Sequence, residues 1–123
     1  MNIDDYRSLH RPSILIIDDN APTLELYAGA FHQDYQVFTC SNSYEAAAII
    51  SSHSLQLVIL EPIAAGSNPW GFLKEITQTY AIPVIVCSAV DDRKSGLEAG
   101  ATAYLVKPVL PSTLREVLKS ILN

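Results

Sequence analysis

The segment LVILEP, Leu57–Pro62, runs an aliphatic stretch into one carboxylate and a proline. The same grammar recurs along the chain: SILIIDD ends on Asp18 and Asp19, PVIVCS on Ser88, and AYLVKP on Lys107 and Pro108. Asp18, Asp19, Glu61, Ser88 and Lys107 thus close four separate apolar runs. Taken singly, each has a bland reading. An acid pair after a strand caps the next helix, a serine is a loop hydroxyl, and a lysine beside proline is solvated. Taken in step, carboxylates, a hydroxyl and an ammonium delivered to one sheet edge define an acidic pocket.

The elements that would position them follow from periodicity. Ser13–Asp18, Tyr35–Cys40, Gln56–Leu60, Pro83–Cys87 and Ala103–Val106 read as strands. Helices are expected around Leu24–Phe31, with Pro22 in the first turn, and around Tyr44–Ile50, with Ser43 as its cap. Further helices are expected at Trp70–Tyr80, at Asp91–Ala99 closed by Gly100, and after Pro111, where Leu114, Val117, Leu118, Ile121 and Leu122 share a face. Aliphatic runs without polar alternation mean that both faces of the sheet are covered. The expectation is a five-stranded parallel sheet with helices on each side, a doubly wound, flavodoxin-like α/β domain over residues 13–123. Residues 1–12 read as a short N-terminal leader. In such sheets ligands bind beyond the carboxyl ends of the strands, where the acids, Ser88 and Lys107 fall.

Composition narrows the function. The 123 residues are 49% hydrophobic and 17% charged, with a net charge of −5. That is a folded composition, and its sign disfavours sequence-independent contact with nucleic acid or anionic lipid. No apolar run reaches the roughly 20 residues needed to span a bilayer. The first dozen residues lack a signal-peptide centre, and Cys40 and Cys87 read as reduced core thiols, so a cytoplasmic setting is expected. His10, His32 and His53 are isolated and receive no role. Trp70 reads as a packing residue at a helix start.

In order and type, IIDD, LEP, CSA and YLVKP, with GLEAGATAYLVKP as the most specific stretch, resemble the receiver domains of bacterial two-component response regulators. The resemblance covers the chain after Pro12 and implies a CheY-like fold and a non-enzymatic signalling module. It implies that Glu61 stands at the phospho-acceptor position, and that Asp19 binds Mg²⁺ directly and Asp18 through water. The backbone carbonyl of Ile63 would be a further ligand. Lys107 and Ser88 would bind the phosphoryl group, and Tyr104 would swing inward behind Ser88 as a switch. The Lys107–Pro108 peptide is often cis in the family. A sensor histidine kinase, or a downstream protein or domain, is the implied partner. The oligomeric state is left open.

Three departures from the family pattern stand out. Glutamate is one methylene longer than the aspartate of the pattern, and placement errors of about 1 Å can cost about a hundredfold in rate. Glu61 is therefore expected to be phosphorylated slowly or not at all. It would then either imitate a phosphorylated aspartate, reaching Ser88 and Lys107, or form a silent ion pair with Lys107; an engineered substitution would give the same sequence. The loop PIAAGSNPWG has Ala65 where the family often has proline, and its glycine, Gly71, comes late. The Ser88–Gly100 stretch is shorter than usual by roughly three residues, about one helical turn, which weakens the case for dimerisation through that face. Two other classes compete: a haloacid-dehalogenase-like phosphatase, which wants Asp-x-Asp after the first strand, and another flavodoxin-like ligand-binding domain, for which no G-x-G-x-x-G follows that strand.

Overall fold

The computed structural model describes Asn2 and residues 11–122; most of the expected leader, residues 1–12, lies outside them. The strands are β1 (Ser13–Ile17), β2 (Gln36–Cys40), β3 (Leu57–Leu60), β4 (Val84–Ser88) and β5 (Ala103–Val106). They form one parallel sheet in the order β2-β1-β3-β4-β5. The helices are α1 (Ala21–Phe31), α2 (Ser43–Ser52), α3 (Pro69–Lys74, continuing as a π-helical turn over Glu75–Thr79), α4 (Arg93–Glu98) and α5 (Pro111–Leu122). A 3-10 turn, Pro62–Ala65, follows β3.

The aliphatic runs are continuous because alternate residues enter two different cores. Leu15, Ile17, Val58, Leu60, Val84 and Val86 face α2 and α3, meeting Ala46, Ile50, Leu73 and Ile76. Ile14, Ile16, Leu57, Ile59, Ile85 and Cys87 face α1 and α5, meeting Tyr27, Phe31, Leu114 and Leu118. Burying one such aliphatic side chain contributes roughly 1.5–3 kcal/mol, so no position in Ile14–Ile17 or Leu57–Leu60 tolerates a polar residue before the strand ends. The acids can therefore appear only past Ile17 and Leu60. After β2 the chain crosses β1 to place β3 on the other side, so the topological switch point lies between β1 and β3, where Asp18 and Glu61 emerge.

Boundaries differ from the expectation where tertiary contacts compete with local signals. Asn42, not Ser43, caps α2: its Oδ1 accepts the Glu45 N–H at 2.8 Å, and Ser43 is the first helical residue. The two types cap about equally well, and the extended backbone of Asn42 after β2 decides between them. Tyr35 lies outside β2, its N–H donating back to the Phe31 carbonyl at 2.9 Å while its ring packs edge-on against Phe31 at 6.3 Å. Gln56 also precedes its strand, and its side chain accepts the Ser13 N–H. Strand β4 is shifted by one residue, so that Ser88 pairs with Val106 inside the sheet. Helix α4 starts at Arg93 rather than Asp91: Asp92 stands at its N-cap with a non-helical backbone (φ −120°, ψ 47°), and its N–H donates to the Tyr104 hydroxyl at 3.1 Å.

Candidate functional site

Each site residue is held by the strand beside its own. The Asp18 N–H donates to the Cys40 carbonyl at 3.1 Å, the Glu61 N–H to Ile17 at 2.9 Å, and the Lys107 N–H to Ser88 at 2.8 Å. These bonds prolong the ladders by one residue and fix where each side chain leaves the sheet. Asp18, Glu61 and Ser88 are buried, while Asp19 is exposed.

The acids and Lys107 do meet. Lys107 Nζ lies 2.8 Å from Asp18 Oδ2 and 3.5 Å from Glu61 Oε1. The expected Glu61–Lys107 pair is thus present as the longer of two contacts, and Asp18 is the primary partner. Asp18 Oδ1 accepts the Asn20 N–H at 2.9 Å, while Asn20 Oδ1 caps α1 by accepting the Thr23 N–H. Glu61 Oε2 is buried with no hydrogen-bond partner. Leaving a buried acceptor unpaired costs about 1–3 kcal/mol. Burial accordingly pushes the Glu61 carboxyl above its ordinary range; Lys107 opposes this, and Asp18 and Asp19 add to it. Burial acts on the Lys107 ammonium in the other direction, but the hydrogen bond and charge of Asp18, joined by Glu61, outweigh it and raise its pKa.

Of the implied Mg²⁺ set, Asp18, Asp19, Glu61 and the Ile63 carbonyl, two members are engaged by protein donors in this arrangement. Both oxygens of Asp18 are committed, to Lys107 and to Asn20. The Ile63 carbonyl accepts the Gly66 N–H at 3.2 Å within the 3-10 turn. Among the described residues no three His, Cys, Asp or Glu side chains are grouped to hold a metal. Magnesium demands near-octahedral oxygen ligation; here Asp18 and the Ile63 carbonyl already accept from protein donors, while Asp19 is exposed and Glu61 Oε2 is unpaired. The Ile63 side chain is 61% exposed and faces away from the core.

Behind Ser88 the switch residues are packed. Ser88 Oγ accepts the Val90 N–H at 3.1 Å. Tyr104 is turned inward and is 8% exposed; its hydroxyl donates to the Val90 carbonyl at 2.6 Å and accepts the Asp92 N–H. Its ring occupies the space a side chain at Gly96 would need, since a Cβ there would lie 2.6 Å from Tyr104 Cδ2. The Trp70 ring is 6.4 Å from that of Tyr104. The Lys107–Pro108 peptide is cis. Sequence reasoning missed two contributors, Asn20, whose N–H anchors Asp18, and Gly96, which makes room for Tyr104; Trp70, read as a packing residue at a helix start, packs there against that ring. Gly96 stands mid-helix, where glycine is unfavourable, and that was the available signal. For Trp70, nothing local says which aromatic it meets.

A parallel doubly wound sheet with acids, a hydroxyl and a lysine at its carboxyl edge, backed by an aromatic on the last strand, defines a flavodoxin-like α/β domain with a polar site at its switch point. The model of the response regulator receiver domain matches residues 14–119, and the chain belongs to that family. It is 32% identical over 127 residues to the probable transcriptional regulator ycf27 of Cyanidium caldarium, covering 100% of this chain and 51% of that protein. It is 34% identical over 118 residues to the phosphate regulon transcriptional regulatory protein PhoB of Pseudomonas aeruginosa, covering 90% and 52%. The chain thus spans about half the length of these relatives. A two-component response regulator from Clostridium difficile superposes with a TM-score of 0.84 at 26% identity, over 90% of this chain and 95% of that one.

Proposed function

We propose that this receiver domain works as a non-enzymatic signalling module that presents a conformation to a partner, and that Glu61 is not an efficient phospho-acceptor. One observation carries the reading: Glu61 is buried with Oε2 unpaired, while Asp18 has taken the lysine that would neutralise an incoming phosphoryl group. Phosphoryl transfer depends on an aligned nucleophile and on positive charge around the transferring oxygens. Here the carboxylate is a methylene long, and Asp18, part of the implied cation set, is engaged by Lys107 and by the Asn20 N–H.

The inward Tyr104 supports a domain held near the state that the family resemblance associates with signalling. Glu61 carries less charge than a phosphoryl group with its metal. A full shift between states needs about 5.5 kcal/mol of differential stabilisation, so a partial bias is the reading favoured. The partner is a sensor histidine kinase or a downstream protein or domain, and the negative net charge favours contact with protein over direct contact with nucleic acid. Among the described residues no helix is long and apolar enough to cross a membrane, and a cytoplasmic setting agrees with the buried free thiols.

The test is intact-mass spectrometry after incubation with acetyl phosphate and Mg²⁺, with Glu61→Asp run alongside. The expected result is an unmodified parent and a variant that gains one phosphoryl group. A parent that gains the group at Glu61 overturns the reading. If neither is modified, the reshaped loop has removed the cation site as well, and the domain is a fixed scaffold.

A further inference from the structure

Beside Ser88 lies a cavity of about 220 Å³, walled by Ile63, Trp70, Ser88, Val90, Asp92 and Tyr104. It opens between the 3-10 turn after β3, the start of α3 and the loop before α4. Val90, 60% exposed, and Ile63, 61% exposed, both line it. The volume is below the roughly 300–1,000 Å³ of sites for drug-sized ligands. It suits a single long side chain.

The chemistry of the walls selects that side chain. Among the described residues lining the cavity, Asp92 alone is charged. Its carboxylate makes no capping bond to α4, whereas Asp91 next to it pairs with Arg93 at 3.4 Å. Lys107, the nearest site cation, is held by Asp18. An apolar or anionic occupant would strip water from Asp92 without replacing it, which is unfavourable. Trp70 and Tyr104 present two rings tilted at 46° to each other, and ring faces attract cations. Ile63 and Val90 offer cover for a methylene stem. A planar guanidinium both stacks on such rings and pairs a carboxylate through two bonds, which an ammonium cannot do.

We infer that this cavity is a docking site for an arginine side chain carried by a partner protein. The occupant would touch Ser88 and Tyr104, so its binding would favour the inward Tyr104. The inference deepens, and rests on, the reading that the domain signals by a conformation presented to a partner.

Trp70 is the only tryptophan in the chain, so its fluorescence reports on the cavity without a label. The protein is titrated with a capped alanine pentapeptide bearing a central arginine, with the same peptide bearing citrulline, and with N-acetylarginine methylamide. The expected result is a saturable Trp70 response to the arginine peptide. Binding should weaken about tenfold or more for citrulline, which keeps the shape and loses the charge, and similarly in Asp92→Asn. That substitution retains the backbone N–H that holds Tyr104, and circular dichroism checks its fold. No saturable response, or equal binding of the citrulline peptide, overturns the inference. N-acetylarginine methylamide, the side chain on peptide bonds alone, should bind about as the pentapeptide does; if free arginine, titrated as a further ligand, binds more tightly than both, the occupant is the free amino acid and the partner-protein inference fails. None of these titrations involves phosphorylation. Modification of Glu61 in the mass experiment would therefore refute the functional reading alone, and a failed titration would refute the cavity alone.

Discussion

Lys107 is the residue on which the acidic pocket depends. It lies between two buried carboxylates, and its side chain is only 21% exposed. Breaking a buried pair by removing one partner leaves uncompensated charge, at a cost of about 3–5 kcal/mol. Lys107→Met should therefore destabilise the domain by about 3 kcal/mol, somewhat less than full burial would give, read from the urea midpoint. A loss well below 1 kcal/mol would mean that the pair is solvated and contributes as surface pairs do. Glu61 differs from Asp18 in kind. Asp18 has a donor for each oxygen, whereas Glu61 shares Lys107 at longer range and has an orphaned oxygen. The two acids stand at equivalent strand ends, yet only one is satisfied: Asp18 has Lys107 and the Asn20 N–H, whereas Glu61 has only the longer contact to Lys107.

At the scale of elements, the short helix α4 and strand β5 form one unit through Gly96 and Tyr104. A methyl group at Gly96 would lie within 2.6–2.7 Å of two ring carbons of Tyr104. Either the ring or the helix must move. Overpacking of this kind costs about 1–3 kcal/mol, so Gly96→Ala should lower stability by that amount even though alanine is the better helix former. It should also change Trp70 emission, because the two rings are neighbours. Thermal melts with tryptophan detection measure both. A stabilised variant with unchanged emission would show that Tyr104 has room to relocate, and that its inward position is not held by α4.

Over the whole molecule, the titrating core groups respond to alkali in one direction. Burial pushes the Cys87 thiol up to about 12 and the Cys40 thiol to about 11, against an ordinary 9.0. In the unfolded chain these thiols ionise first, so the native state holds more protons between the two values. Stability is therefore fully present below about pH 9 and falls as pH rises through 11 and 12, with a slope of about 1.4 kcal/mol per pH unit for each thiol in that window. Burial raises Tyr27 and Tyr35 in the same sense. Urea midpoints measured from pH 8 upward should decline, and Cys87→Ala, although less stable at neutral pH, should decline less steeply. Equal slopes would assign the alkaline loss to groups other than this thiol.

Much of the fold was legible in the sequence because the strands are two-sided. Ile14–Ile17, Leu57–Leu60 and Val84–Cys87 must be aliphatic or otherwise apolar at every position to fill two cores, and a polar residue can occur only where the sheet stops. That local rule, applied to the sequence alone, identifies Asp18, Glu61, Ser88 and Lys107 and fixes their common edge. Helix starts were legible to within about a residue or two, since Pro22 and Pro111 favour first-turn positions whatever surrounds them. Contacts across the sheet were not legible. That Asp18 rather than Glu61 holds Lys107, that the Ile63 carbonyl is spent on Gly66, and that Tyr104 lies against Gly96 and Trp70 all depend on side-chain reach and local backbone geometry in the folded chain. Periodicity determines which face a residue occupies. Which neighbour it bonds there is decided only by the geometry of the packed molecule, where donors and acceptors compete at distances of a few tenths of an ångström.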